Sequence, residues 1–223
     1  MFSAPSFAAI SVSDNDKSTE KTGGNSSAVT QSITLNASAD YLEVCVSAHF
    51  LFDITAVSWN GVSMTQSVEL ANGSYPVASQ WYLPNPDTGT HTLSISTDID
   101  TQGMFISWLS LSGAENQAPD VTTSGTGLNE SLTTLVDGSI VVDCAATNAV
   151  NSSFVETGDL STNIINQTGT AVSAFSNYLI KSTAGLVDGS FTYTGTGSMP
   201  HTMLSIAPAA GGAATTFIID YGL

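Results

Sequence analysis

The stretch QWYLPNPDTGTHTLSIS, residues 80–96, reads as two strands joined by a rigid corner, and that reading sets the fold class. Pro84 and Pro86 fix φ and withhold N–H donors, so the strand running through Tyr82 cannot extend its ladder past them. Thr88-Gly89 then supplies a turn. Beyond it the residues alternate, with Leu93 and Ile95 on a core face and Thr92, Ser94 and Ser96 on the other. Such a corner turns a chain from one sheet to another.

Working outward, strand candidates recur about every 8–12 residues, the spacing of an all-β sandwich. They lie near 5–12, 28–36, 40–48, 54–59, 62–70, 76–83, 89–97, 104–112, 131–136, 139–147, 162–167, 172–181, 189–194, 202–207 and 215–220. The Asn-Gly pair in VSWNGVSMTQ marks a tight hairpin, because both central residues of a type I′ turn need positive φ. Helix is nearly absent, with at most a short turn in 113–120. The segments ADYLEVCVSA and DGSIVVDCAA share a texture, and each opens a half of the chain. That echo is read as two faces of one antiparallel β-sandwich spanning 1–208, with Leu42, Val44, Val46, Leu93, Ile95, Ile140 and Val142 in its core. Residues 209–223 form a spacer, AAGGAA, and a β-prone tail, TTFIIDYGL.

Composition narrows the function. Of 223 residues, 42% are hydrophobic and 10% charged, and 19 acidic side chains face three lysines and no arginine, a net charge of −16. Phosphate contacts rely on Lys and Arg, so no nucleic-acid partner is expected, and anionic lipid headgroups are disfavoured for the same reason. No run of about 18 apolar residues is present, so no membrane-inserting helix is expected. The opening stretch MFSAPSFAAISVSDND has no Lys or Arg before its apolar part and reads as a poor secretory signal. Either a signal has been removed, or the protein is made in a cytoplasm and leaves without the secretory route, which a virion protein released by lysis fits.

The chemistry-bearing residues form no catalytic motif. Cys45 faces away from Leu42, Val44 and Val46, whereas Cys144 shares a face with Ile140 and Val142, so both read as small apolar strand residues rather than as a bridge. His49, His91 and His201 lie far apart in sequence with no zinc spacing. Asp14, Asp16 and Glu20 in DNDKSTE, with Asp98 and Asp100 in STDID, are candidates for a loose calcium site, although neither stretch has the glycine and closing glutamate of an EF-hand. No cofactor other than calcium is suggested. Among the aromatics, Tyr75 and Tyr82 are surface candidates for stacking on sugar rings, and Trp59, Trp81 and Trp108 belong to the core.

The ordered series VSWNGVSMT, QWYLPNPDTGTHTLSIS, MFISWLSLSGAENQAPD, DGSIVVDCAATN and HTMLSIAP resembles the jelly-roll-like β-sandwich domains of phage tail-fibre and other virion-surface proteins, also found in some secreted bacterial proteins. The resemblance covers roughly 30–208; residues 1–27 and the tail lie outside it. It implies a jelly-roll sandwich and a non-enzymatic virion structural protein: a surface, decoration or fibre component. Its partners would be copies of itself, other virion proteins, and a cell-surface glycan or receptor. A secreted, extracellular carbohydrate-binding or adhesin module is the alternative, and a hydrolase is the least supported reading. The tail is expected to serve assembly by adding a strand to a neighbouring subunit, with Phe217, Ile218 and Ile219 filling pockets.

Overall fold

The computed structural model describes residues 7–21, 27–49, 53–71, 76–98, 103–149, 153–195 and 199–210. The first half carries β1 (Ser11–Lys17), β2 (Ala28–Leu35), β3 (Tyr41–Ala48), β4 (Ile54–Trp59), β5 (Val62–Ser63), β6 (Thr65–Ala71), β7 (Val77–Pro84), β8 (Gly89–Thr97) and β9 (Met104–Ser112). The second carries β10 (Val121–Thr126), β11 (Ser131–Thr133), β12 (Ser139–Thr147), β13 (Phe154–Glu156), β14 (Thr162–Thr168), β15 (Ser173–Lys181), β16 (Leu186–Asp188), β17 (Phe191–Tyr193) and β18 (Pro200–Ile206). The fold is an antiparallel β-sandwich architecture, and no helix occurs among the described residues.

The two halves use the same strand order. In the first, the sheet β1-β9-β3-β7-β6 faces the sheet β2-β8-β4-β5. In the second, β10-β18-β12-β15-β14 repeats the first order element by element. The short pairs β11-β16 and β13-β17 stand where β2-β8 and β4-β8 stand in the first half. The echo between ADYLEVCVSA and DGSIVVDCAA thus belongs to the central strands β3 and β12 of two sheet pairs, not to the two faces of a single pair.

The reason lies in side-chain alternation. Leu42, Val44, Val46 and Ala48 point from β3 into a core shared with Ile33, Leu35, Val57, Trp59, Leu93 and Ile95. The opposite face of the same strand, where a lone sandwich would meet water, is buried as well. Tyr41 packs there with Ile140, Val142, Leu204 and Ile206 of the second half. Strands β3, β12 and β18 are buried along their whole length, as strands covered on both sides must be, and accordingly few of their residues are charged. The four layers therefore run β2-β8-β4-β5, then the two large sheets back to back, then the short pairs.

This seam corrects the cysteine reading. Cys45 does face away from Leu42 and Val44, but that face is the seam, and Cys144 faces the seam from the other side. The two form a disulfide, with Cα atoms 5.7 Å apart. Aligning the central strands on their cysteines sets LEVCVSA (42–48) over VVDCAAT (141–147), so the bridge joins matching positions of the two halves. Strand β6 touches β10 and β18 while β1 touches β14, so the sheet order runs in opposite senses across the seam, as a two-fold relation through the bridge requires.

All seven expected core residues are buried. The Asn-Gly turn is present, with φ of 48° at Asn60 and 79° at Gly61. The corner after β7 lies over it. Trp59 Nε1 donates to the Asp87 carbonyl at 2.8 Å and Asn60 Nδ2 to the Asp87 carboxylate at 2.9 Å. Strands β10, β13 and β16 were not expected, and β1 was expected only at its start, within 5–12. DNDKSTE in particular, read as a loop, begins on an edge strand whose charged residues keep that edge from pairing with other chains.

Candidate functional site

The acidic candidates do not converge. Asp14 Oδ2 accepts the Asn36 amide at 2.6 Å and the Ser110 hydroxyl at 3.3 Å, and Asp98 Oδ1 accepts the Asp53 amide at 2.9 Å. Asp16 Oδ1 accepts the amide of the adjacent Lys17 at 2.8 Å. Asp100 lies outside the described residues. No group of three or more His, Cys, Asp or Glu side chains is placed to hold a metal ion among the described residues.

Glu20 has a different task from the one its spacing suggests. Its Oε2 accepts Thr170 N at 2.7 Å and Thr170 Oγ1 at 2.9 Å, while Oε1 accepts Ala171 N at 2.9 Å and Val172 N at 3.2 Å. Four donors occupy both oxygens, tying the segment after β1 to the turn between β14 and β15. Burial pushes its carboxyl up, but these hydrogen bonds outweigh that and hold it below the ordinary carboxylate range.

Tyr82 is not a free surface aromatic. Half-buried at the seam, it stacks on Tyr41 with ring centroids 6.0 Å apart and planes 10° from parallel, so one face of its ring is already covered. Tyr75, like Phe217, Ile218 and Ile219, lies outside the described residues. Trp59, Trp81 and Trp108 are core residues, as expected.

Two polar clusters that the sequence reading missed lie inside the fold, only the half-buried Glu156 of the second reaching the surface. At the seam, Glu43 Oε1 accepts Gln80 Nε2 at 3.0 Å, and Gln80 Oε1 accepts the Thr202 hydroxyl of the second half at 2.9 Å. Glu43 Oε2 has no hydrogen-bond partner among the described residues. Burial pushes the Glu43 carboxyl up to about 8, which keeps it protonated and uncharged at neutral pH. Beneath the second large sheet, His201 Nε2 lies 3.5 Å from Asp143 Oδ2, both side chains being fully enclosed. Asp143 also accepts the Asn177 amide, and Asn177 Nδ2 donates to Glu156 at 2.6 Å. Burial raises the Asp143 carboxyl against the pull of His201, and pushes Glu156 up to about 7. An Asp-His pair is the beginning of a nucleophile-activating relay, but general-base chemistry needs a substrate within hydrogen-bond reach. At zero exposure this pair is offered none. The signal for both clusters was a lone acid within an apolar run, YLEVCV and IVVDCA.

One accessible groove is at the mouth of the first sheet pair. Edge strands β1 and β2 bound a groove of about 320 Å³ lined by Asp14 to Lys17, Gln31 to Thr34 and Trp108. Asp16 pairs directly with Trp108 across β1 and β9, so both side chains leave the sheet on its inner face. Gln31 shares the inner face of β2 with the buried Ile33. A carboxylate from one sheet thus faces a carboxamide from the other, in a groove that Trp108 also lines. The second half has a groove of about 310 Å³ as well, lined by Asn129, Glu130, Ser131, Leu186, Asp188 and Ser190. There the Glu130 carboxylate lies so close to Gly125 that a Cβ would fall 1.6 Å from its Oε1.

No protein-family model matches the chain, and no curated protein matches it. No helix among the described residues is long and apolar enough to cross a membrane.

Proposed function

We propose that this chain is a structural component of a virion surface, acting by assembly and by contact with a host receptor, not by catalysis. The observation that carries the reading is the burial of both large sheets on both faces, which makes a rigid slab with its ionisable clusters locked inside. Such a body suits bearing load and presenting a surface better than turning over a substrate. The sequence resemblance over 30–208 supports the same reading. So does the strand order: β5 and β6, counted as one strand, start in the outer sheet beside β4 and end in the inner one beside β7, and the strands before and after them alternate between sheets. That is the pattern of the interlocked Greek keys of a jelly roll. The Cys45–Cys144 bridge fits a protein that works in an oxidising setting such as a virion or cell exterior.

Antibodies raised against the chain are the direct test. They should label intact particles from the native source in electron micrographs, and mass spectrometry should find the chain in purified particles. Its absence from such particles would remove the proposal. The second reading, a secreted carbohydrate-binding or adhesin module, is favoured by one observation, the open polar groove between β1 and β2. It predicts the chain in culture supernatant free of particles.

A further inference from the structure

The geometry points to the groove between β1 and β2 as a binding site for a neutral, hydroxyl-rich saccharide, with Asp16 and Gln31 as its polar contacts and Trp108 in its lining. This gives the host-contact part of the proposed function a location and a ligand class, and it rests on that reading only for the biological source of the glycan.

Three observations meet here. The first is shape: a groove of about 320 Å³ falls at the lower end of the range for small-molecule sites, near 300–1,000 Å³. The second is the type of polar group. A carboxylate accepts hydrogen bonds only and a carboxamide both donates and accepts, so the two walls together match the mixed donors and acceptors of adjacent sugar hydroxyls. Trp108, largely buried, adds apolar surface to the groove's lining. Third is the contrast between the halves. With the same strand order, the second half has a groove of about 310 Å³ lined by Asn129, Glu130, Ser131, Leu186, Asp188 and Ser190, with no aromatic side chain, whereas Trp108 lines the groove of the first.

Charge selects among saccharides. A chain of net charge −16 repels sulfated and carboxylated glycans over most of its surface, and Asp14 and Asp16 extend that repulsion into the groove. Lys17, the one cation lining it, sits beside both acids. Anionic sugars are therefore disfavoured and neutral ones are not.

The test uses the full chain and defined probes: soluble hexaoses built from glucose, galactose, mannose or N-acetylglucosamine, titrated calorimetrically to about 10 mM, where weak sites still register. At least one should bind. Asp16→Asn combined with Gln31→Ala should weaken that binding at least about tenfold with the melting temperature unchanged, and Gln31→Ala alone should weaken it less. Glu130→Ala, in the groove of the other half, should leave it unaltered. Binding by none of the hexaoses, binding that survives the double substitution, or tighter binding to heparin than to any neutral probe would each overturn the assignment. None of these failures touches the assembly role, which is decided on particles.

Discussion

Cys45 and Cys144 stand at matching positions of two like-ordered half-chains and are bonded to each other across the seam between them. The bond spans 99 residues of sequence, so it removes a large loop-closure entropy from the unfolded chain. In the chain-entropy account a loop of about 100 residues is worth roughly 4–5 kcal/mol, and measured bridges more often contribute about 2–4 kcal/mol. Replacing both cysteines by alanine should lower the urea midpoint accordingly while keeping the circular dichroism spectrum. Thiol titration of the wild-type chain in guanidinium without reductant should find no free thiol. Two titratable thiols would contradict the bridge.

Stability should fall as pH rises through neutrality. The Glu43 carboxyl is pushed from 4.5 to about 8 and that of Glu156 to about 7. Between the unfolded and folded values the native chain holds the extra protons, so each unit of pH erodes its advantage. The stabilisation is complete below about pH 4.5 and is lost as pH climbs toward 8. Urea midpoints measured from pH 5 to 8.5 should decline. Glu43→Gln, which keeps a neutral side chain of the same shape, should flatten the slope without abolishing it, because Glu156 and Asp143 remain. An unchanged slope would place the titration elsewhere.

Ile95 tests the first core directly. It is fully buried between β8 and the large sheet, and Ile95→Ala should cost about 2–5 kcal/mol. Ile180, 39% exposed on β15, should lose well under half as much when truncated. Equal losses would mean that the strand faces are misassigned.

Glu20 is predicted to matter as a tie and not as a metal ligand. Glu20→Gln keeps the size but weakens the charge-assisted bonds to Thr170, Ala171 and Val172, and about 1 kcal/mol of destabilisation is expected for this half-exposed group. Melting temperatures in excess EDTA and in millimolar calcium should coincide for wild type and variant. A calcium-dependent rise that Glu20→Gln abolishes would return this residue to a metal site.

The C-terminal segment supplies the assembly test. TTFIIDYGL is apolar and β-prone by sequence, a composition that pairs with open sheet edges. Deleting 215–223 should leave a folded chain that no longer oligomerises or joins particles, measured by analytical ultracentrifugation and particle incorporation. Unfolding on deletion would assign the tail to the chain's own core and end its assembly role.

Most strands were legible because alternation and turn chemistry are local. Leu93 and Ile95 announce a buried face, and Asn60-Gly61 announces a hairpin, without reference to anything distant. What was not legible depends on partners far along the chain. The parity that set Cys45 opposite Leu42 was read correctly, yet only the second half's position shows that the opposite face is also interior. Most of strand β1 was hidden for a related reason: Ser11–Lys17 alternates polar with polar, and its pairing to β9 decides its state. The groove escaped notice because Asp16 and Gln31 are neighbours only once two sheets face each other.

The repeated strand order also governs how copies of the chain can meet. A true dimer of identical sandwiches would carry the same outer sheet at both ends and would stack only face to like face. This chain has unlike ends. One is the sheet β2-β8-β4-β5, whose outward residues include Thr30, Ser32, Thr34, Thr90 and Thr92, with the Thr34 and Thr90 hydroxyls 2.7 Å apart. The other carries the exposed Leu135, Val155 and Leu186. A body with a hydroxyl-bearing end and an apolar-tipped end has a direction. Contacts joining one end to the other are heterologous, and repeated they generate rings or open filaments instead of closed pairs.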